Sequence, residues 1–163
     1  MQPAPIPKNE EERMFALLEL NILDTKPEKR FDVLTKKATS KLMVPIATVS
    51  IIDAGREWYK SCIGLKEKEH PRETSFCGHV MSKNYVFVIE DTLLDKRFAD
   101  NPQVTGKPHI RFYAGVALYN KSKKLPVGVF CIKDTKPRKM SREEIGILAD
   151  FAHSAEEELN KQH

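Results

Sequence analysis

The amino-acid sequence predicts one α+β domain in which helices pack on the faces of a mostly antiparallel sheet. The chain has 163 residues, within the usual span of one domain, and its 40% apolar fraction is enough for one sizeable core. Its pattern runs helix, helix, strand, strand, helix, strand, long connection, strand, strand, helix. Two strand pairs are joined by tight hairpins, which require antiparallel pairing.

The chain opens with an extended segment and then continues as one unit. Residues 1–8 contain three prolines, which predicts a flexible lead-in. Residues 9–163 contain no internal repeat, no low-complexity tract and no change of composition. We therefore expect a single domain over 9–163 that includes the N-terminal and C-terminal helices.

Helices are predicted where apolar residues recur at intervals of three and four behind a capping signal. In a capping box, a small polar side chain and a carboxylate three residues later each accept an otherwise unpaired backbone amide. A short helix is also predicted behind Ser75. Three pairs have the spacing of a capping box: Asn9 with Glu12, Thr25 with Glu28, and Ser141 with Glu144.

Strands are predicted where β-branched residues are frequent or where apolar and polar residues alternate. The turn residues at 53–56 join the first two strands as a hairpin. In RFYAGVALY, the apolar side chains alternate from Phe112 onward, which places them on one face. The five predicted strands are PIATVSIID, REWYKSCI, VFVIED, RFYAGVALY and LPVGVFCIKD.

Composition and charge exclude several classes of function. The 27 basic and 23 acidic residues leave a net charge of +4, a small excess for a nucleic-acid-binding protein. No window approaches the ~18 consecutive apolar residues that a membrane span needs. Residues 1–12 lack the basic start and apolar run of a secretory signal, so a cytoplasmic location is predicted. Three cysteines without a CxxC pair argue against a disulfide framework or a zinc site, and no metal is predicted.

The last helix carries two apolar stripes, which predicts a dimer. One helix that is apolar on two sides must bury both, and its own sheet covers one of them. The second stripe is Ile147 with Phe151. We expect a two-fold homodimer through the terminal helices, with Met14, Leu17 and Leu18 of the first helix sharing the interface. The first stripe has the spacing of a short heptad seam: Ile145, Leu148, Ala152, Ala155 and Leu159.

Several segments together resemble the GAF domain family, in particular the bacterial branch found ahead of sensor histidine kinases and diguanylate cyclases. The resemblance runs from about Asn9 to Leu159. It implies a GAF/PAS-like, six-stranded, mostly antiparallel sheet with a ligand pocket between the sheet and the loops on one face. It also implies that dimers often use the terminal helices. The segments that carry it are ALLELNILDTKPEKRFDVL, PIATVSIID, REWYKSCIGL, PRETSFCGHV, EDTLLDKRFADNPQVTGKPHIRFYAGVAL and GVFCIKDTKPR.

The resemblance favours a non-catalytic module that senses a small molecule or transmits a signal to an output domain such as a kinase or cyclase. No cofactor is identifiable. The cyclic-nucleotide-binding branch is marked by an Asn-Lys…Phe…Asp-Glu pattern, but Asn84 is followed by Tyr85. Bilin-binding members attach their chromophore through a Cys directly followed by His, whereas Cys77 is followed by Gly78. Neither a cyclic nucleotide nor a covalent bilin is therefore expected.

Two alternative functions remain open from the sequence. The first is a thiol-based redox enzyme or sensor similar to free methionine sulfoxide reductases, with Cys77 near a helix start that would lower its pKa. That branch has a second Cys before the fourth strand, where TGKPHIRFY has none, so reductase chemistry is not favoured. The second alternative is a dimerisation module whose pocket is filled by its own side chains.

The predicted ligand-binding residues lie in the short helix and in the long connection before RFYAGVALY. Arg97 or Arg111 could donate to an anionic group, with Phe98 and Phe112 as walls. Alternatively, Asp91, Asp95 and Asp100 pair with these arginines and fasten the connection. The full set of candidates is Cys77, His79, Arg97, Phe98, Asn101, His109, Arg111 and Phe112.

Overall fold

A computed structural model describes residues 1–161, and it contains one six-stranded antiparallel sheet with the strand order β3-β2-β1-β6-β5-β4. The predicted α+β class is confirmed; residues 162 and 163 of the predicted domain lie outside the described range. No helix within residues 1–161 is long and apolar enough to cross a membrane. The helices are α1 Glu10–Leu18, α2 Lys29–Leu42, α3 Cys77–Val80, α4 Pro102–Thr105 and α5 Arg142–Asn160. The strands are β1 Ile46–Ile52, β2 Arg56–Ile63, β3 Glu69–Pro71, β4 Phe87–Ile89, β5 Phe112–Asn120 and β6 Leu125–Asp134.

The sheet separates two buried layers. On the helix face, the three longer helices α1, α2 and α5 cover an apolar core that includes Ala47, Val49 and Ile51 of β1. On the loop face, α3, α4 and their connections cover a second layer that includes Ile46 and Ile52 of the same strand. All seven residues of β1 are buried, because both faces of the central strands are covered.

The sixth strand, β3, was implied by the resemblance and is not visible in the sequence pattern. It is three residues long, contains a proline and shows no apolar alternation. It forms by pairing with β2, where His70 lies opposite Glu57. A short polar strand at the edge of a sheet forms because it pairs with the neighbouring strand, since its own residues have little propensity for β-structure.

One of the three predicted capping boxes is confirmed. The Ser141 hydroxyl accepts the amide of Glu144 at 3.1 Å, and the Glu144 carboxylate accepts the amide of Ser141 at 2.9 Å. The other two predicted boxes are wrong. Asn9 makes no side-chain cap, and the Thr25 hydroxyl donates to the carbonyl of Ile22 because α2 begins only at Lys29.

Residues 1–8 are extended as predicted, but they lie against the domain. The amide of Gln2 donates to the carbonyl of Arg97 at 3.0 Å, and the amide of Ala4 donates to the carbonyl of Glu73 at 3.1 Å. The Ala4 methyl group is buried against Gly78, where a side chain at Gly78 would collide with it. Two backbone hydrogen bonds and one buried methyl group therefore attach this segment to the rest of the domain.

The predicted heptad seam of α5 is buried inside the chain. Leu148, Ala152, Ala155 and Leu159 all belong to the core on the helix face. Phe151 of the second stripe stacks on Phe130 of β6, with ring centroids 6.0 Å apart and planes at 8°. Most of both apolar stripes is therefore covered by this chain's own sheet and α2, and the seam is not available to a partner.

Leu148 and Ile145 provide a test of this placement. Leu148→Ala removes a fully buried side chain and is expected to lower the free energy of unfolding by about 2–5 kcal/mol. Ile145→Ala, at a half-buried position three residues earlier, is expected to cost clearly less. Urea denaturation of both variants measures the difference. Equal losses would contradict the placement of Leu148 in the core.

Candidate ligand-binding site

A cluster of polar side chains occupies the centre of the loop face, where an apolar layer would otherwise be expected. We call it the polar cluster, and its members come from four strands, from α4 and from the segment before α3. Because both faces of these strands are buried, polar side chains that point to the loop face must find partners there. The polar cluster consists of Thr48, Ser50, Glu57, His70, Ser75, Gln103 and Lys133.

The carboxylate of Glu57 is fully buried and has three polar partners. It accepts the hydroxyl groups of Ser50 and Ser75, each at 2.6 Å, and lies 3.2 Å from Nε2 of His70. Burial works to raise the pKa of Glu57, but the hydrogen bond of His70 and the charge of Lys133 outweigh it and lower that pKa. Glu57 is therefore a buried negative charge.

The ammonium group of Lys133 is equally buried and has fewer partners. It donates to the side-chain carbonyl of Gln103 at 3.3 Å and lies 5.6 Å above the ring of Phe76. Burial works to lower the pKa of Lys133, but the negative charge of Glu57 raises it above its ordinary value. An ammonium has three donors, and the described residues supply one hydrogen-bond acceptor to this one.

Gln103 is held over the cluster by the local structure of α4. Asn101 caps α4 by accepting the amide of Gln103 at 2.9 Å, and it donates to the carbonyl of Thr74 at 3.1 Å. The side-chain amide of Gln103 donates to the same carbonyl at 2.8 Å. These bonds fasten α4 to the segment before α3, so the Gln103 side chain fills the space next to Lys133.

Two cysteines lie beside the polar cluster. The hydroxyl of Tyr113 donates to the thiol of Cys77 at 3.1 Å, and the hydroxyl of Thr48 lies 3.0 Å from the thiol of Cys131. Tyr113 can reach Cys77 because Gly115 has no side chain; a Cβ there would collide with the phenol oxygen. Burial raises the pKa of Cys77 well above its ordinary value, so the expected lowering by a helix start does not occur in this four-residue helix.

Three predicted residues share the aromatic layer next to these cysteines. Cys77, His79 and Phe98 are buried together on the loop face. The rings of His79 and Phe98 meet edge to face with centroids 4.7 Å apart, and Phe76 contacts Phe98 at 4.8 Å. The structure therefore brings these three candidates together, with the Cys77 sulfur 3.8 Å from the Ser50 hydroxyl of the polar cluster. Asn101 also borders the cluster, because it accepts the amide of Gln103.

The predicted cationic candidates contact loop atoms. Arg97 forms two hydrogen bonds with Asp95, at 3.0 and 2.7 Å. Arg111 donates to the carbonyl of Val104 at 2.9 Å, and Nδ1 of His109 lies 3.3 Å from the same oxygen. In the structure these residues fasten the long connection.

Three aspartates were expected to pair with Arg97 or Arg111, and two of them have other partners. Asp91 accepts the amide of Leu93 at 3.0 Å and so caps a short 3₁₀ turn. Asp100 pairs with the terminal amino group of Met1. Of the expected pairs, only Asp95 with Arg97 forms among the described residues.

Phe112 lies on the opposite face of the sheet, so it does not form a wall of this site. It belongs to the helix-face core, and the guanidinium of Arg138 lies 5.5 Å above its ring. The predicted alternation of RFYAGVALY requires this result, since Phe112 shares a face with Ala114 and Leu118. Tyr113, one residue later, is the side chain that faces the polar cluster.

Three residues of the site were not predicted from the sequence: Glu57, Gln103 and Lys133. A signal for the site was present in β1, where Thr48 and Ser50 alternate with apolar residues in a strand that the pattern places centrally. Polar residues at alternate positions of a central strand point to one buried face and indicate a polar site there. The partners of these residues come from distant segments, which no local pattern connects.

The fold, a six-stranded antiparallel sheet with helices on its faces, defines the class of GAF-like α+β domains. Residues 26–159 match the GAF domain family. A cyclic di-GMP phosphodiesterase from Pseudomonas aeruginosa is 37% identical over 153 residues, which are 93% of this chain and 26% of that protein. The chain belongs to the GAF domain family, and the predicted resemblance and signalling class are confirmed. It spans about a quarter of the length of that relative.

Solved structures share the fold at low sequence identity. The GAF domain of an Acinetobacter phosphoenolpyruvate-protein phosphotransferase is 14% identical, with a TM-score of 0.66, and the match covers 94% of this chain and 93% of that one. A domain of a sensor histidine kinase protein from Sinorhizobium meliloti is 18% identical, with a TM-score of 0.65 and coverage of 83% and 92%. A type II free methionine-R-sulfoxide reductase from Thermoplasma acidophilum is 13% identical, with a TM-score of 0.63 and coverage of 90% and 94%.

His79 gives the domain a pH dependence of known sign. Burial lowers the pKa of His79 below its ordinary value, so the unfolded chain takes up a proton there more readily than the folded chain. The free energy of unfolding is therefore expected to fall as the pH drops through about 6.5, the ordinary pKa of histidine. His79→Gln, which keeps a donor for the carbonyl of Gln2, should remove this part of the slope.

Chemical denaturation between about pH 7 and pH 5 measures this effect, with His153→Gln on the exposed side of α5 as the control. The control should keep the slope of the unchanged protein. An unchanged slope in His79→Gln would assign the pH dependence to other groups.

Proposed function

We propose that this chain is a non-catalytic sensing module that binds a small, oxygen-rich anionic molecule at the polar cluster and passes the change to α5. The family and the signalling class support the general role. The ligand class is supported by one observation, which is the buried ammonium of Lys133 with a single acceptor at 3.3 Å.

The two buried charges differ in how many hydrogen-bond partners they have. Glu57 accepts from Ser50, Ser75 and His70, so its oxygens are well supplied with donors. Lys133 has only the Gln103 oxygen, and a buried charge that lacks hydrogen-bond partners is costly. A carboxylate or phosphate oxygen that replaced the Gln103 oxygen would supply the missing hydrogen-bond acceptors, and a charged acceptor forms a stronger hydrogen bond than an amide oxygen.

Strand β6 supplies a physical route from the polar cluster to α5. Lys133 and Cys131 face the cluster, while Phe130 and Ile132, which alternate with them along the strand, face the helix side. Phe130 stacks on Phe151 of α5. A shift of β6 that follows ligand binding would therefore reach the C-terminal helix, which could be joined to an output domain of the kinase or cyclase type.

Catalysis by this chain is not part of the proposal. The relative named as a phosphodiesterase has three quarters of its length outside the match, and its activity is a property of that whole protein. The candidate nucleophile Cys77 is fully buried, and burial raises the pKa of its thiol. A buried thiol with a raised pKa is a poor nucleophile.

Three variants test the ligand site. Lys133→Met is expected to weaken binding by roughly tenfold or more, because a lost hydrogen bond to a charged group is worth about 1.5–3 kcal/mol. Gln103→Ala vacates the space next to Lys133 and is expected to strengthen binding. Lys136→Met, at an exposed position three residues after Lys133, should change nothing.

The measurements are native mass spectrometry of the gently purified protein and thermal shifts with a panel of small carboxylic acids and phosphate esters. A bound ligand must stabilise the native state. If nothing is retained and no compound shifts the melting temperature of the unchanged protein or Gln103→Ala, the ligand site is wrong. The dimerisation module that lacks a ligand would then be the remaining candidate function.

We also propose a homodimer, through surfaces other than the predicted seam. Phe15 and Leu18 of α1 are 61% and 56% exposed and lie one helical turn apart. Glu11, Glu12 and Glu19 flank them. An open groove of about 760 Å³ lies between α2 and α5, with Val33 and Phe151 as its apolar residues. The groove is flanked by Lys36, Lys37 and Lys41.

The two surfaces are complementary in charge and share an apolar centre, so we propose that α1 of a second copy lies in this groove. Phe15→Glu should shift sedimentation toward the monomer without loss of stability, because Phe15 is exposed. Glu11→Lys with Glu12→Lys should weaken the dimer, and adding Lys36→Glu with Lys37→Glu should restore it. A monomer at all concentrations, or no restoration in the combined variant, would contradict this interface.

A further inference from the structure

We infer that residues 2–7 form a releasable strap that couples the polar cluster to α1. The coupling passes through residues 72–79, which we call the bridging segment, because this segment contacts both the strap and the polar cluster. It involves only residues of this chain and needs no ligand at Lys133, so it goes beyond the proposed function and does not depend on it.

The strap lies against the bridging segment. The amide of Ala4 donates to the carbonyl of Glu73 at 3.1 Å, and Nε2 of His79 lies 3.2 Å from the carbonyl oxygen of Gln2. The buried methyl group of Ala4 fits over Gly78, where an added Cβ would come within 2.6 Å of it. The strap can therefore approach α3 closely because residue 78 has no side chain.

The bridging segment contacts the polar cluster through Ser75. The Ser75 hydroxyl donates to the buried carboxylate of Glu57 at 2.6 Å, and it accepts the amide of Gly78 at 2.9 Å. Gly78 in turn contacts the strap at Ala4. Any rearrangement at Glu57 that moves Ser75 therefore moves the surface on which the strap lies.

The strap and the bridging segment are both joined to the first turn of α1. The amide of Glu10, the first residue of α1, donates to the carbonyl of Pro7 at 3.2 Å. The Glu10 carboxylate accepts from the guanidinium of Arg72 at 3.1 Å, and this guanidinium also donates to the carbonyl of Asp53 at 3.2 Å. The start of α1 is therefore restrained from two sides, and release of the strap removes one of these restraints.

The composition of the strap suits a segment that detaches while the domain stays folded. Ala4 is its one buried residue, whereas Ile6 is 60% exposed. A segment with few buried contacts opens at a much lower free energy than the core. Prolines at positions 3, 5 and 7 keep the detached strap extended, so it loses little backbone entropy when it docks again.

Ala4→Glu tests the coupling from the strap, with Ile6→Glu as the matched control. The first variant places a charged side chain against Gly78 and should detach the strap, whereas the second adds the same charge at an exposed position. Amide hydrogen exchange, followed by NMR, measures the result. In Ala4→Glu we expect exchange at least about tenfold faster at position 4, at Glu10 and at Gly78, because coupling is reciprocal. Ile6→Glu should exchange like the unchanged protein.

A second set of variants moves the methyl group to the other side of the contact. Gly78→Ala should also detach the strap, because its Cβ collides with Ala4. Adding Ala4→Gly should restore slow exchange, because one methyl group again fills the space. Gly146→Ala on α5 is the control, since nothing lies within 4 Å of a Cβ added there. Circular dichroism checks that each variant is folded before exchange rates are compared.

Three results would overturn the inference. The first is unchanged exchange at position 4 in Ala4→Glu, which would show that the strap does not depend on this contact. The second is faster exchange at position 4 without faster exchange at Glu10 and Gly78, which would show a strap that couples to nothing. The third is a folded double variant that exchanges as fast as Gly78→Ala alone. None of these results depends on whether a ligand binds at Lys133.

Discussion

The negative charge of Glu57 and the positive charge of Lys133 lie buried on one face of the central sheet, and the loop side of the domain is arranged around them. Charged groups removed from water are stable only where donors and acceptors replace the lost hydration. Ser50, Ser75 and His70 do this for Glu57, and Gln103 does part of it for Lys133. These partners come from β1, β3, α4 and the segment before α3, so the two charges fix the positions of four separate parts of the chain.

Side-chain hydrogen bonds around the polar cluster explain how the long connection before β5, which has little regular structure, keeps one shape. Asn101 caps α4 and reaches the carbonyl of Thr74, while Arg111 donates to the carbonyl of Val104. Each bond satisfies a backbone group that would otherwise be unpaired under the loop layer. The bonds of Asn101 also hold Gln103 beside Lys133. The long connection therefore places the side chain that fills the candidate site.

The helix face follows a simpler physical rule. Its core is apolar, and α5 buries Leu148, Ala152 and Leu159 against the sheet of its own chain. What remains on the surface is an acidic face of α1 with Phe15 and Leu18 and a basic groove beside Phe151. The sheet therefore lies between two layers. The polar layer on the loop face could receive a signal, and the helical layer on the other face could carry it to a partner. Strand β6 contacts both layers.

The sequence by itself determined the class of fold and most elements, because helix periodicity, strand alternation and turn residues are local properties. The alternation of RFYAGVALY even assigned Phe112 to its correct face, against its predicted role in the site. The spacing of a capping box can be read from the sequence, because both partners lie within one helical turn. Ser141 forms the box, whereas Asn9 and Thr25 have the same spacing and form none, so the spacing alone does not decide the cap.

Only the tertiary structure decided the site. Glu57, Gln103 and Lys133 are separated by 46 and 30 residues, and each has a plausible exposed role until the sheet is assembled. The strand order brings β2 within reach of β6 across β1, and the pairing of β3 places His70 opposite Glu57. Contacts between residues distant in the chain depend on strand order and loop closure, which no window of the sequence encodes.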